Sequence, residues 1–229
     1  MPILSSPDPS EVPLMSLVET VLEEISDNLD QRRLEITNLR RVVQNYIEKP
    51  LETTAIRMAI PMLYAHWEGY VRETCQLYLE YIETSGTKVR ELQAGLLAYL
   101  WTSALKPLVG GLDFARKKVV AELALTCMEN PVKFADSERI INTKSNLNFD
   151  VLRDIAVHLC LDISTLMPWR SHLDALVHLR NNIAHGARPR TLDYTNFEEH
   201  ASSLISLMEE FERSLIRALE DRSFFVEQS

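Results

Sequence analysis

The chain has 229 residues, 46% of them hydrophobic, and only six glycines. That is enough apolar material for one sizeable core and too little glycine for a turn-rich β fold. Its formal charge of −9 excludes a uniformly basic surface of the kind that grips nucleic acid through phosphates alone.

Residues 1–13 hold four prolines and no basic stretch, so a disordered segment is expected there and not a signal peptide. A first long helix follows. In it Val18, Leu22, Ile25, Leu29, Ile36, Leu39, Val43 and Tyr46 step by threes and fours, with Arg32 the single interruption and Pro50 marking the end. A second helix carries Ile56, Ile60, Leu63, Trp67, Tyr70, Thr74, Leu77 and Tyr81 in the same rhythm, with Pro61 expected to kink it early. Shorter helical candidates cover Val89–Leu105, Leu112–Met128, Phe149–Leu159 and Trp169–Ala184. The longest uncharged apolar run, Leu92–Leu105, is shorter than the roughly 18 residues of a membrane span, so no membrane association is expected.

Glu129–Asn148, with its Asn-Pro and Asn-Thr-Lys-Ser-Asn-Leu-Asn runs, reads as a loop over the helices. In the last helix Thr195-x-x-Glu198 reads as a capping box, and Phe197, Ala201, Leu204, Met208, Phe211 and Leu215 form its stripe. Stripes of this kind need partner helices. The expected fold is an all-α antiparallel bundle with long first, second and last helices, forming one domain over residues 14–229. The three cysteines, Cys75, Cys127 and Cys160, lie far apart and form no C-x-x-C pair. They suit neither a disulfide framework nor a zinc knuckle, and a reducing, cytoplasmic compartment is the simple reading.

The charge is unevenly spread. Residues 1–48 carry nine acids against four arginines, and residues 191–229 carry nine acids against three. Between Trp169 and Arg190, by contrast, Arg170, Arg180, Arg188 and Arg190 face only Asp174. Any anion that this protein handles should be met there, although four arginines also make an ordinary solvated surface.

The same stretch carries the candidate chemistry. Leu173, Leu176, Val177, Ile183 and Ala184 make a buried stripe, Gly186 suits the position just past a helix end, and Pro189 stops continuation. Asp174, His178, Asn181 and His185 are spaced four, three and four apart and form one polar row, with Arg180 beside the stripe. His185 falls at the helix C-terminus, where the dipole favours a protonated imidazole, and an imidazole that titrates near neutrality can move protons. Arg180 stays charged and matches a phosphate. Together they could activate a ribose 2′-hydroxyl and stabilise the phosphorane that forms. Residues five apart diverge by about 140° on an ideal helix, so convergence needs the helix end to unwind at Gly186 or a second subunit to complete the site. An ordinary helix terminus carrying an Arg and a His fits the spacing as well.

Arg180-Asn-Asn-Ile-Ala-His185-Gly186 resembles the R-x(4–6)-H motif of the HEPN superfamily. Tyr64-Ala-His-Trp-Glu-Gly-Tyr-Val-Arg72 and Ser145-Asn-Leu-Asn-Phe-Asp-Val-Leu-Arg153 are similar to its MAE_28990/MAE_18760-like branch, in the family's order. The resemblance implies a HEPN-type bundle that dimerises through its motif helices. It also implies a metal-independent endoribonuclease in a toxin or anti-phage defence role, with RNA as substrate and an antitoxin or defence-system protein as a possible partner. It makes Arg180 and His185 the catalytic pair and Asn181 an auxiliary residue. The alternative is a non-catalytic HEPN module that binds RNA or a protein. HEPN toxins paired with a nucleotidyltransferase antitoxin often have a tyrosine two residues after the histidine; Ala187 stands there instead, which speaks against regulation by modification of that tyrosine.

Other residues admit two readings. Asn182, Arg188 and Arg190 could contact RNA, or be mere solvated polar groups. His66, Glu68 and Glu73 could reach the cleft, and a polar contact between helices explains them equally. His158 and Cys160 lack further ligands, so no metal site or cofactor is expected. Trp67, Trp101 and Trp169 are expected in the core and not as base-stacking platforms.

Overall fold

A computed structural model describes residues 14–102, 114–135, 141–187 and 192–226. The expected disordered segment 1–13, together with Arg188 and Arg190, lies outside the described residues. Of the described residues 75% are helical, and no strand occurs among them. The α-helices are α1 (Leu14–Gln44), α2 (Glu52–Thr84), α3 (Ala94–Leu100), α4 (Phe114–Thr126), α5 (Phe149–Leu159), α6 (Arg170–Ala184) and α7 (Tyr194–Glu220). Among the described residues no helix is long and apolar enough to cross a membrane.

The three long helices α1, α2 and α7 pack on one another, and α6 lies against α2 and α7. Their stripes do what the periodicity requires. Ile25, Leu29, Ile36 and Val43 of α1 meet Ile56, Ile60, Leu63 and Trp67 of α2, and Phe197, Ala201, Leu204, Met208, Phe211 and Leu215 of α7, in one buried cluster. Phe211 presents its ring edge-on to both Trp67 and Tyr70, with centroids 6.1 and 6.3 Å away, a geometry that matches ring edge to ring face. Trp67 is fully buried, while Trp101 and Trp169 pack half-buried against the cluster.

The departures from expectation have physical causes. The helix expected over Val89–Leu105 is a single 3-10 turn at Val89–Glu91 followed by α3. Gly95 in α3 explains the close fit there: a Cβ would stand 2.5 Å from the Val157 carbonyl oxygen of α5, so only glycine lets the two backbones meet. Helix α7 is capped by Asp193 and not by Thr195; the Asp193 carboxylate accepts the Asn196 N–H at 2.9 Å, as this residue type does well at such a position. Glu198, freed from the capping box, pairs with Arg40 of α1 at 3.1 Å. Pro61, where a kink is expected, lies inside α2, which continues as one helix on both sides of it. In α6 the buried stripe ends early: Leu173, Leu176 and Val177 are buried, Ile183 is half-buried and Ala184 is exposed.

Arg32, the interruption in the first stripe, has a partner. Its guanidinium crosses to α2 and meets Glu73 at 2.7 Å, and Asn28 donates to the same carboxylate oxygen at 2.8 Å. Gly69 makes room, since a Cβ there would sit 3.3 Å from the Arg32 Nη2. His66 joins this seam through Glu35 at 3.2 Å. Of the polar residues of α2 named in the sequence, His66 and Glu73 therefore face α1, whereas Glu68 accepts from Thr143 of the loop 141–148.

Burial holds the His66 imidazole below its ordinary value of 6.5, against the pull of Glu35 and with help from Arg32. A depressed value means that the unfolded chain binds this proton more readily. His66 thus contributes stability above about pH 6.5 that is lost as pH falls through its folded value. The gap in melting temperature between wild type and His66→Gln should shift against the wild type as pH is lowered from 7.5 to 5. A gap independent of pH would contradict this.

Candidate active site

Three separate segments meet where α6 crosses α2: the Tyr64–Glu68 stretch of α2, the loop 141–148, and the Arg180–Ala187 end of α6. Tyr64 is at the centre. Its hydroxyl accepts the buried Leu147 N–H at 2.7 Å, and its ring lies beneath the Arg180 guanidinium, 3.7 Å from centroid to Cζ. Desolvation raises the Tyr64 phenol above its ordinary value, against the pull of the Leu147 hydrogen bond, so the hydroxyl stays neutral. Trp67 Nε1 donates to the Leu147 carbonyl at 3.2 Å, and the Thr143 hydroxyl donates to Glu68. The loop is thereby pinned to α2 at three successive points.

Pinning of this kind holds an unusual backbone. Lys144 and Ser145 both adopt left-handed conformations, with φ of 54° and 51°, which costs energy for residues with a Cβ. The turn aims the Ser145 carbonyl at α6, where it accepts from Arg180 Nη2 at 3.0 Å. Arg180 Nη1 donates to Asn181 Oδ1 at 2.8 Å, and Asn181 Nδ2 donates to Asn146 Oδ1 at 3.0 Å. One more tie runs from α6 to α5: the Asp174 carboxylate accepts the Phe149 N–H at 3.0 Å, at a helix start where the Asn148 side chain also accepts the Val151 N–H. Arg180 is thus held by an aromatic face and two neutral oxygens. Its positive charge is not cancelled by a carboxylate among the described residues.

The end of α6 forms as the glycine requires. Gly186 has φ of 78°, its N–H meets the Ile183 carbonyl at 3.0 Å, and the Ala187 N–H meets the Asn182 carbonyl at 2.9 Å. These bonds close the helix in the manner of a left-handed C-terminal cap. His185 is exposed at that end. Asn182 contacts His178 Nε2 one turn back at 2.9 Å. The expected polar row is real but divided. Asn181 turns to the loop and Asp174 to the start of α5, whereas His178 and His185 face solvent. Within one chain Arg180 points inward and His185 outward, and no hydrogen bond joins them.

Placement of the sequence-derived candidates is therefore uneven. Arg180, Asn181, Asn182 and His185 share the end of α6. His66 and Glu73 belong to the α1–α2 seam, away from this crossing. Sequence reasoning missed the parts played by Tyr64, Ser145 and Asn146, although all three lie in the segments that carried the family resemblance. It also missed Arg57, whose Nη1 donates to the Ala187 carbonyl at 2.6 Å; no sequence signal set that arginine apart.

A helical bundle that presents an Arg-x4-His segment at the end of a late helix falls in the class of HEPN-type domains. The model of the HEPN_MAE_28990-like HEPN family matches residues 21–224, and the chain belongs to that family. Neither a curated protein nor a solved structure matches it significantly.

Proposed function

We propose that the protein is a metal-independent endoribonuclease, with Arg180 and His185 as its catalytic pair, acting as a toxin or in anti-phage defence. The observation that carries this reading is the state of Arg180. It is held by Tyr64, Ser145 and Asn181, yet keeps a charge that no carboxylate among the described residues neutralises, as a group intended for phosphate should.

In this reading His185 accepts the proton of the ribose 2′-hydroxyl. The 2′-oxygen attacks the adjacent phosphorus, Arg180 stabilises the added charge, and the bond from phosphorus to the 5′-oxygen breaks, with a proton passing to that oxygen. Asn181 keeps the guanidinium in register, and Asn182, Arg188 and Arg190 contact flanking parts of the RNA. Because Arg180 and His185 diverge within one chain, a second copy completes the site. The face of α6 that carries the exposed His178 and His185 beside Asn182 then lies at a two-fold interface. The setting is cytoplasmic, and an antitoxin or defence-system protein is the further partner. That same divergence is what favours the second reading, a non-catalytic module that binds RNA or a protein.

The chemistry fixes the products. Fragments should end in a 2′,3′-cyclic phosphate and begin with a 5′-hydroxyl, and DNA of the same sequence should survive because it lacks the nucleophile. End-group analysis by mass spectrometry checks this; 3′-hydroxyl ends, or equal cutting of DNA, would rule the route out.

A further inference from the structure

Among the described residues, half of the ten arginines on α1, α2, α6 and α7 form ion pairs. Arg32 pairs with Glu73, Arg33 with Glu209, Arg40 with Glu198, and Arg170 with Asp150. The two on the α2–α6 seam differ. Arg180 spends its bonds on the Ser145 carbonyl and the Asn181 amide, and Arg57 spends its one bond on the Ala187 carbonyl. Among the described residues neither forms an ion pair. In a chain of net charge −9, two uncompensated guanidinium groups on one seam mark a place for an anion.

Their spacing says what kind of anion. Arg57 of α2 reaches the residue two beyond His185, and Tyr64 of α2 underlies Arg180. The seam is therefore antiparallel, and the end of α6 that carries His185 falls between the two arginines. Seven residues of α2 separate the two anchor points, about 10 Å at 1.5 Å per residue. One phosphate cannot bridge that distance, but a polyanion strand can; at about 3.4 Å of rise per nucleotide it spans about three phosphates. A half-buried arginine with one N–H bonded to a carbonyl keeps four of its five donors for such a strand.

We propose that Arg57 is a second phosphate-binding residue, gripping the RNA backbone on the far side of His185 from Arg180. It acts on ground-state binding and strand register, not on the bond being broken. The inference rests on the endoribonuclease reading above.

The test separates the two. Binding of a fluorescent 12-nucleotide RNA by His185→Ala protein is measured by anisotropy across a range of salt, and compared with the His185→Ala protein that also carries Arg57→Gln or Arg57→Lys. Lysine keeps the charge and a donor of similar reach to the Ala187 carbonyl while glutamine drops the charge, so the salt dependence separates phosphate binding from a structural role. The expected result is about a 5- to 10-fold weaker affinity for Arg57→Gln at low salt, and a salt dependence shallower by about 0.7 in the log–log slope, the loss of one phosphate contact on a single strand. Arg57→Lys should restore the slope. In the catalytic background Arg57→Gln should raise KM and leave kcat nearly unchanged. If the parent binds RNA and Arg57→Gln changes neither affinity nor slope, the proposal is wrong while the endoribonuclease reading stands. If the parent binds no RNA at all, both fall.

Discussion

Arg180→Ala should lower RNA cleavage by at least about a hundredfold, the worth of a positioned electrostatic group at a phosphorane. The substitution also removes the stack on Tyr64 and leaves the Ser145 carbonyl and the Asn181 amide oxygen without their donor. A stability loss of about 1–2 kcal/mol should accompany it, reduced by the partial exposure of the site. Arg180→Lys separates the two effects, because lysine keeps the charge but cannot lie flat on the ring while bonding two oxygens. It should be more active than the alanine variant and well below wild type. A mixing experiment then locates the partner residue. If Arg180 of one subunit works with His185 of the other, Arg180→Ala and His185→Ala proteins are each inactive alone. Combined in equal amounts they should recover about a quarter of wild-type activity, since half the dimers carry one intact site of two. No recovery after subunit exchange would place both residues in one chain.

Tyr64→Ala should damage both the fold and the candidate site. The ring is 3% exposed, and deleting a buried aromatic side chain costs about 3–5 kcal/mol. The loss would spread beyond packing. Without the hydroxyl the buried Leu147 N–H has no acceptor, the loop 141–148 loses its central pin, and the carbonyl that holds Arg180 is no longer fixed. Tyr64→Phe isolates the hydroxyl: it keeps the platform under Arg180 and orphans one amide, for about 1–3 kcal/mol. Urea unfolding should rank wild type, Tyr64→Phe and Tyr64→Ala in that order. Tyr64→Ala as stable as wild type would contradict the proposed architecture of the crossing.

Much of this architecture could be read from the order of residues. The period of three and four in α1, α2 and α7 predicts three helices that need one another, and the structure joins them through the apolar positions so identified. Gly186 announced the end of α6, and its positive φ shows why. Tertiary relations were harder to see. Nothing in the sequence tells that Arg32 will find Glu73 across a glycine, and a stripe with one charged residue in it looks the same whether that charge is paired or solvated. Asp193 and Thr195 are both good helix caps, and only the backbone at the start of α7 decides between them. The candidate site divides in the same way. Arg180 and His185 were visible as a local motif, because six consecutive residues at the end of one helix carry it. Tyr64, Ser145 and Asn146 come from segments 35 or more residues distant, and their joint role exists only once the loop folds across α2.

The central claim is that His185 moves a proton during metal-independent RNA cleavage, and one assay addresses it directly. Purified wild-type and His185→Ala proteins are incubated with total RNA in EDTA, and fragments are quantified over time. His185 is exposed at the end of α6, so its removal should spare the fold, which circular dichroism on the same samples verifies. The account predicts that wild type cuts RNA in the presence of EDTA and that the variant is slower by about a hundredfold or more. Cleavage that stops in EDTA, or that continues at the wild-type rate in His185→Ala, would contradict it.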